Sequence, residues 1–175
     1  MAEAARKQIV LEWLGGLGMV ARNEAGRAIL VGTPPPERAG EILAGLDVPH
    51  SGLAPMELVL VALGGCTGLD VISILEKMRQ RVETFTVVAE GERATEHPKV
   101  YITARVTYRL AGEIEPANAR RAAELSIQRY CSVGAMLTRA VPVTYALEVN
   151  GELTDLGTRG PDPRKTEGGS GSGCR

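Results

Sequence analysis

The sequence is short of net charge, histidine and long uncharged runs, and each shortage removes a class of function. Its 20 basic residues are matched by 21 acidic ones, leaving a net charge of −1. A chain so balanced has no overall field to gather nucleic acid or anionic lipid. The two histidines, His50 and His97, lie far apart and neither neighbours a cysteine. Together with the cysteines they form no zinc-ligand spacing, so the spacing predicts no metal centre, and a Cys/His hydrolase has little support. The longest uncharged run, Leu58 to Leu69, is shorter than the ~20 residues that cross a bilayer. The N-terminal MAEAARKQIVLEW lacks the apolar core and cleavage site of a secretory signal. A soluble, cytoplasmic protein is expected. Cysteine is also scarce, with three in the chain, and in a cytosolic protein that points to catalysis, metal or plain core before a disulfide framework.

What is present suits one domain. At 175 residues and 44% hydrophobic, the chain can bury roughly 70% of its unfolded surface without covalent staples. QIVLEWL (8–14) and RAILV (27–31) read as strands of an N-terminal meander, with room for a third strand in the turn-rich GGLGMVARNEAG between them. A long proline-flanked connection over 33–55 carries a short helical pattern at 37–44; connections of that length are usually functional or interfacial. From Met56 to about Gln80 the pattern is a long helix, apolar on nearly every side through Leu69, as befits a central element.

Beyond the helix, ETFTVVAE (83–90) and KVYITARVTYRL (99–110) read as hairpin strands, the second with Val100, Ile102, Ala104, Val106, Tyr108 and Leu110 on one face. Pro116 opens a second helix to about Tyr130, with Ala119, Ala122, Ala123, Ser126, Ile127 and Tyr130 inward. A further helical turn follows Cys131, and VPVTYALEV (141–149) is expected as the final strand, closed by Asn150-Gly151. The fold class is α+β, with one domain over 1–154. The Gly/Ser-rich stretch 155–175 reads as a flexible tail, which keeps Cys174 out of any site.

Two thiols stand out. Cys66 follows Gly64 and Gly65 in the long helix, and Cys131 ends the second helical run. Each glycine costs a helix about 1 kcal/mol relative to alanine, so close approach of another element is expected there. The helical neighbours of Cys66 are mostly apolar, except for Asp70 one turn on, whose charge opposes a thiolate. An apolar helix face admits either a core cysteine or a catalytic one. A thiolate that cleaves a peroxide becomes a sulfenic acid, and a second thiol can condense with it to a disulfide.

The order of elements, the PMEL…GGC segment (55–66) and RYCSVGAML (129–137) resemble the OsmC/Ohr family of thiol-dependent peroxidases, and more narrowly its OsmC-like branch. The resemblance spans roughly residues 8–150. It implies an intertwined homodimer with the cysteine helices at its centre, in which Cys66 is peroxidatic toward organic hydroperoxides and Cys131 resolves. A dithiol reductant such as a lipoyl protein is implied, with no bound metal or flavin. The family's activating arginine comes from the meander or the loop after it, where this chain offers Arg22, Arg27 and Arg38. The chain departs from the peroxidase pattern at Met56, where those branches carry glutamate. Its acid is Glu57, on the helix face opposite Cys66, where it can instead satisfy the helix N-terminus. The rival to a peroxidase is a dimer of the same fold that binds a small hydrophobic ligand or acts as a slow redox sensor.

Overall fold

The computed structural model describes residues 6–33, 35 and 53–161. Arg38, His50, Cys174 and the helical pattern at 37–44 lie outside these residues. Seven strands form one sheet in the order β3-β2-β1-β4-β5-β6-β7. The meander is β1 (Arg6–Trp13), β2 (Leu17–Asn23) and β3 (Ala28–Thr33); the glycine-rich stretch between the two expected strands supplies the third. The long helix α1 spans Pro55–Lys77 and is followed by the hairpin β4 (Arg81–Arg93) and β5 (Tyr101–Glu113).

After β5 come α2 (Pro116–Leu125), a π-helical turn over Ser126–Tyr130 and α3 (Ser132–Leu137). The chain then returns to the sheet as β6 (Val143–Val149), parallel to β5, and turns back as β7 (Glu152–Arg159). All other strand pairs are antiparallel. Helical crossovers are the usual way to join parallel neighbours, and the α2–α3 segment fills that role here.

Alternation along β1 places Ile9 and Leu11 on the face that α1 covers, opposite Ala89 and Val87 of β4. The core between sheet and α1 includes Leu60, Leu63, Val71, Ile72 and Leu75 from the helix and Met19, Val87, Val106 and Tyr108 from the strands. By its length and hydropathy alone α1 could cross a membrane; in this fold more than half of that apolar stretch is buried. The core accounts for that hydropathy.

Three sequence expectations shift. Val100 and Ile102 are 51% and 44% exposed, while Tyr101 is buried. The register between β4 and β5 slips between Glu92 and Arg93, leaving Ile102 unpaired, so the alternation reverses phase there. Tyr130 is 50% exposed although the regular 3.6-residue period turns it inward. The chain also continues past Asn150-Gly151. Those two residues have φ of 49° and 89°, as a tight two-residue hairpin turn requires, and they return the chain as β7. The sheet therefore extends through Arg159, beyond the expected start of the tail.

Candidate active site

Three glycines let α1 lie close on the sheet. A Cβ on Gly64 would sit 2.7 Å from Leu11 Cδ1, one on Gly65 2.9 Å from Val31 Cγ1, and one on Gly68 2.9 Å from Val87 Cγ2. The expected close approach is thus a β-sheet. With that side of α1 against the strands, Leu58, Ala62, Cys66, Leu69 and Ser73 form a stripe at helical spacing that the chain leaves exposed or half-buried. Cys66 sits midway along it.

Cys131 reaches the helix by a local irregularity. At the end of the π-helical turn its backbone N–H bonds Ser126 O at 2.9 Å, an i to i−5 contact. The wider turn carries Tyr130 outward and brings Cys131 inward, where it is buried. Cys131 then caps α3, its Sγ accepting the Gly134 N–H at 3.2 Å. A side chain on Gly134 would crowd both Cys131 Sγ and Tyr145 Oη at 3.3 Å, so glycine there leaves the thiol its space.

The two cysteines are free thiols that approach to 3.4 Å, and the Asp70 carboxylate joins them, the three donor atoms lying within 4.8 Å of one another. Behind Asp70 runs a buried hydroxyl chain. Ser126 Oγ donates to Asp70 Oδ2 at 3.0 Å, Thr67 Oγ1 lies 2.8 Å from Ser126 Oγ, and Tyr108 Oη lies 2.6 Å from Thr67 Oγ1. No buried side-chain polar atom among the described residues lacks a partner. Thr67 and Ser126 gave no sequence signal beyond a helix face, because their role depends on two elements meeting.

Burial dominates the electrostatics. It pushes the Cys131 thiol from 9.0 up to about 12; the Gly134 N–H opposes the rise, and Cys66 and Asp70 add to it. Burial also lifts the Asp70 carboxyl above its ordinary range, partly offset by the Ser126 hydroxyl. Tyr145, whose ring borders the site, is raised by burial and then by Cys131 to about 12, with Arg159 pulling the other way. At neutral pH Cys131 is therefore a protonated thiol against Cys66.

The other expected site residues lie elsewhere. Arg22 pairs with Val10 across β1–β2, on the sheet face turned away from α1, and its Nε meets Glu12 Oε2 at 3.3 Å. Arg27 shares a shallow concavity with Asn23 and Glu57. Within one chain, the described contacts bring the two cysteines together and bring neither arginine to them. Glu57 is buried at the start of α1, roughly 13 Å along the helix from Cys66. Its Oε2 accepts the Ala54 N–H at 2.8 Å, and Asn23 Nδ2 donates to both carboxylate oxygens at 3.3 Å. Capping the helix is thus its visible work. His97 is exposed in the β4–β5 connection.

Residues 48–146 match the family model described as OsmC-like protein. The chain is 34% identical over 143 residues to Protein YhfA of Escherichia coli K12, across 81% of this chain and 97% of that protein. A crystal structure of a hypothetical protein from Aquifex aeolicus VF5 shares 30% identity and a TM-score of 0.56, over 87% of this chain and 99% of its own. An OsmC-like hydroperoxide resistance protein from Jannaschia sp. CCS1 shares the fold at 14% identity, with a TM-score of 0.52 over 86% of this chain and 97% of its own.

Proposed function

Because this chain belongs to the OsmC-like family, and a hydroperoxide resistance protein shares its fold, we propose that it is a cysteine-based organic hydroperoxide reductase. The observation that carries this is the 3.4 Å approach of a half-buried Cys66 to a buried Cys131. Cys66 is the accessible member of the pair and acts as nucleophile. Its thiolate attacks the outer peroxide oxygen, breaking the O–O bond to give Cys66 sulfenic acid and releasing the alkoxide, which takes a proton to leave as alcohol. Cys131 then gives up its proton and attacks the sulfenic sulfur, forming the disulfide and releasing water. An external dithiol, of the lipoyl class, reduces the disulfide by two electrons and closes the cycle.

The Asp70 carboxylate is the base beside Cys131. A thiol held protonated up to about 12 needs an acceptor at the moment of resolution, and Asp70 lies within 4.8 Å of both sulfurs. The open stripe of α1 offers an apolar approach for an alkyl hydroperoxide. It also supplies the face for a homodimer, with Leu58 at its edge 41% exposed. In such a dimer, Arg22 or Arg27 could assist Cys66 only from the partner chain. The protein acts in the cytoplasm, where dithiol reductants are available.

Stopped-flow consumption of cumene hydroperoxide tests the reading in a Cys174→Ser background. Cys66→Ser is expected to abolish the fast reaction. Cys131→Ser is expected to permit one turnover, leaving a sulfenic acid that dimedone traps at Cys66. A Cys66 that reacts no faster than an ordinary free thiol would sink the proposal. That outcome favours a second reading, a slow redox sensor or hydrophobic-ligand dimer. The commitment of Glu57 to the helix cap supports it, since no acid from the start of α1 reaches Cys66.

A further inference from the structure

Tertiary structure assembles a donor set that the sequence spacing excludes. Cys66 and Cys131, separated by 65 positions, meet Asp70 so that two sulfurs and a carboxylate oxygen lie within 4.8 Å of one another. Ligands around a tetrahedral zinc ion stand roughly 3.7 Å apart for a metal–sulfur length of about 2.3 Å. The 3.4 Å approach of the cysteines is already near that spacing.

We propose that Cys66 Sγ, Cys131 Sγ and one oxygen of Asp70 bind a single thiophilic divalent cation of the zinc class, with water in the fourth position. Two thiolates select soft or borderline ions over magnesium and calcium. The ligands are already oriented by their surroundings. Ser126 Oγ holds Asp70 Oδ2 at 3.0 Å and is itself fixed by Thr67, while the Gly134 N–H donates to Cys131 Sγ at 3.2 Å. Such outer contacts fix ligand direction in metal sites. Cys66 and Asp70 are only half-buried, which gives the ion an entry path and the water its place. Binding releases both thiol protons to solvent while the cation takes their place, with no change in oxidation state. A loaded site ties up both thiols, and a disulfide between them removes the ligands.

The donor geometry carries this site independently of peroxide chemistry, so the two succeed or fail separately. The test is zinc titration of the reduced full-length chain carrying Cys174→Ser, against a chromophoric chelator, with cobalt(II) as the spectroscopic probe. One equivalent per chain is expected, with thiolate-to-cobalt charge transfer in the near ultraviolet and the visible bands of a tetrahedral ion. Magnesium and calcium should not compete. Cys66→Ser and Cys131→Ser should lose the charge-transfer band, and Asp70→Asn should weaken zinc binding on the order of tenfold or more. Serine at 131 keeps a good helix cap, so that variant is expected to fold. For the chain with all three ligands intact, zinc should protect Cys66 and Cys131 from iodoacetamide, read by peptide mass spectrometry. Absence of stoichiometric binding, binding undiminished by either cysteine change, or failure to protect the two thiols overturns the site. Unchanged affinity in Asp70→Asn overturns the three-ligand assignment.

Discussion

Replacing Asp70 by asparagine separates two effects that its carboxylate combines. The group accepts from Ser126, yet burial raises its pKa above 3.8. A folded pKa above the unfolded one contributes stability below the unfolded value, and that contribution is lost as pH rises through the folded value. Once ionised, the carboxylate is therefore a burden on the fold. An asparagine side chain would keep an acceptor for Ser126 without the charge. Asp70→Asn is expected to raise the urea midpoint at about pH 7, with the difference shrinking toward about pH 4 as the wild-type group protonates. The same change is expected to slow disulfide formation after the first peroxide turnover, read by single-turnover kinetics. A lower midpoint at neutral pH would show that the charge assists folding. Such a trade of stability for reactivity is common at active sites. The sequence places Asp70 one turn from Cys66, but Ser126, its partner, is 56 positions away.

At the scale of elements, α1 is built for contact on one side and for its cap at one end. Gly68→Ala gains about 1 kcal/mol of helix propensity. Its new Cβ meets Val87 Cγ2 at 2.9 Å and Met19 Cε at 3.2 Å, and the valine has little freedom to move. Overpacking of this kind costs about 1–3 kcal/mol, so net destabilisation is expected in urea melts. Gly64→Ala should be milder, because its shortest contact is the flexible end of Leu11 at 2.7 Å. Equal midpoints for the two variants would contradict this packing. Glu57→Ala removes the acceptor of the Ala54 N–H and of Asn23 Nδ2, at a cost of about 1–2 kcal/mol. Its hydroperoxide rate per folded molecule is expected to stay unchanged, whereas a catalytic Glu57 would lower it. The glycines of α1 are legible as a demand for close approach, since their penalty requires some return. The π-helical turn is not legible, because five residues with ordinary helix propensities extend α2 equally well as a regular helix. Its first residue, Ser126, bonds Thr67 of α1, a contact that exists only once the two elements meet.

At the scale of the molecule, several buried acids set the alkaline limit of the fold. Cys131, raised from 9.0 to about 12, and Tyr101 and Tyr145, raised from 10.0 to about 12, all hold their protons more tightly when folded, chiefly through burial. Their contribution is complete below the unfolded pKa values and is lost as pH rises toward about 12. The urea midpoint is therefore expected to fall between about pH 8 and about pH 10.5, less steeply in Cys131→Ser. An equally steep fall in that variant would remove the cysteine from this account. Composition, the period of α1, the paired strand patterns and the two cysteine motifs determine the α+β class and the family, because they follow from local preference and from burying one face of each element. Local pattern cannot fix register, so the slip that exposes Ile102 and the turn that exposes Tyr130 emerge only from pairing and packing. The meeting of Cys66, Asp70 and Cys131 is decided in the same way. Donors on α1 and beyond the π-helical turn become neighbours through long-range packing, which sequence spacing does not encode.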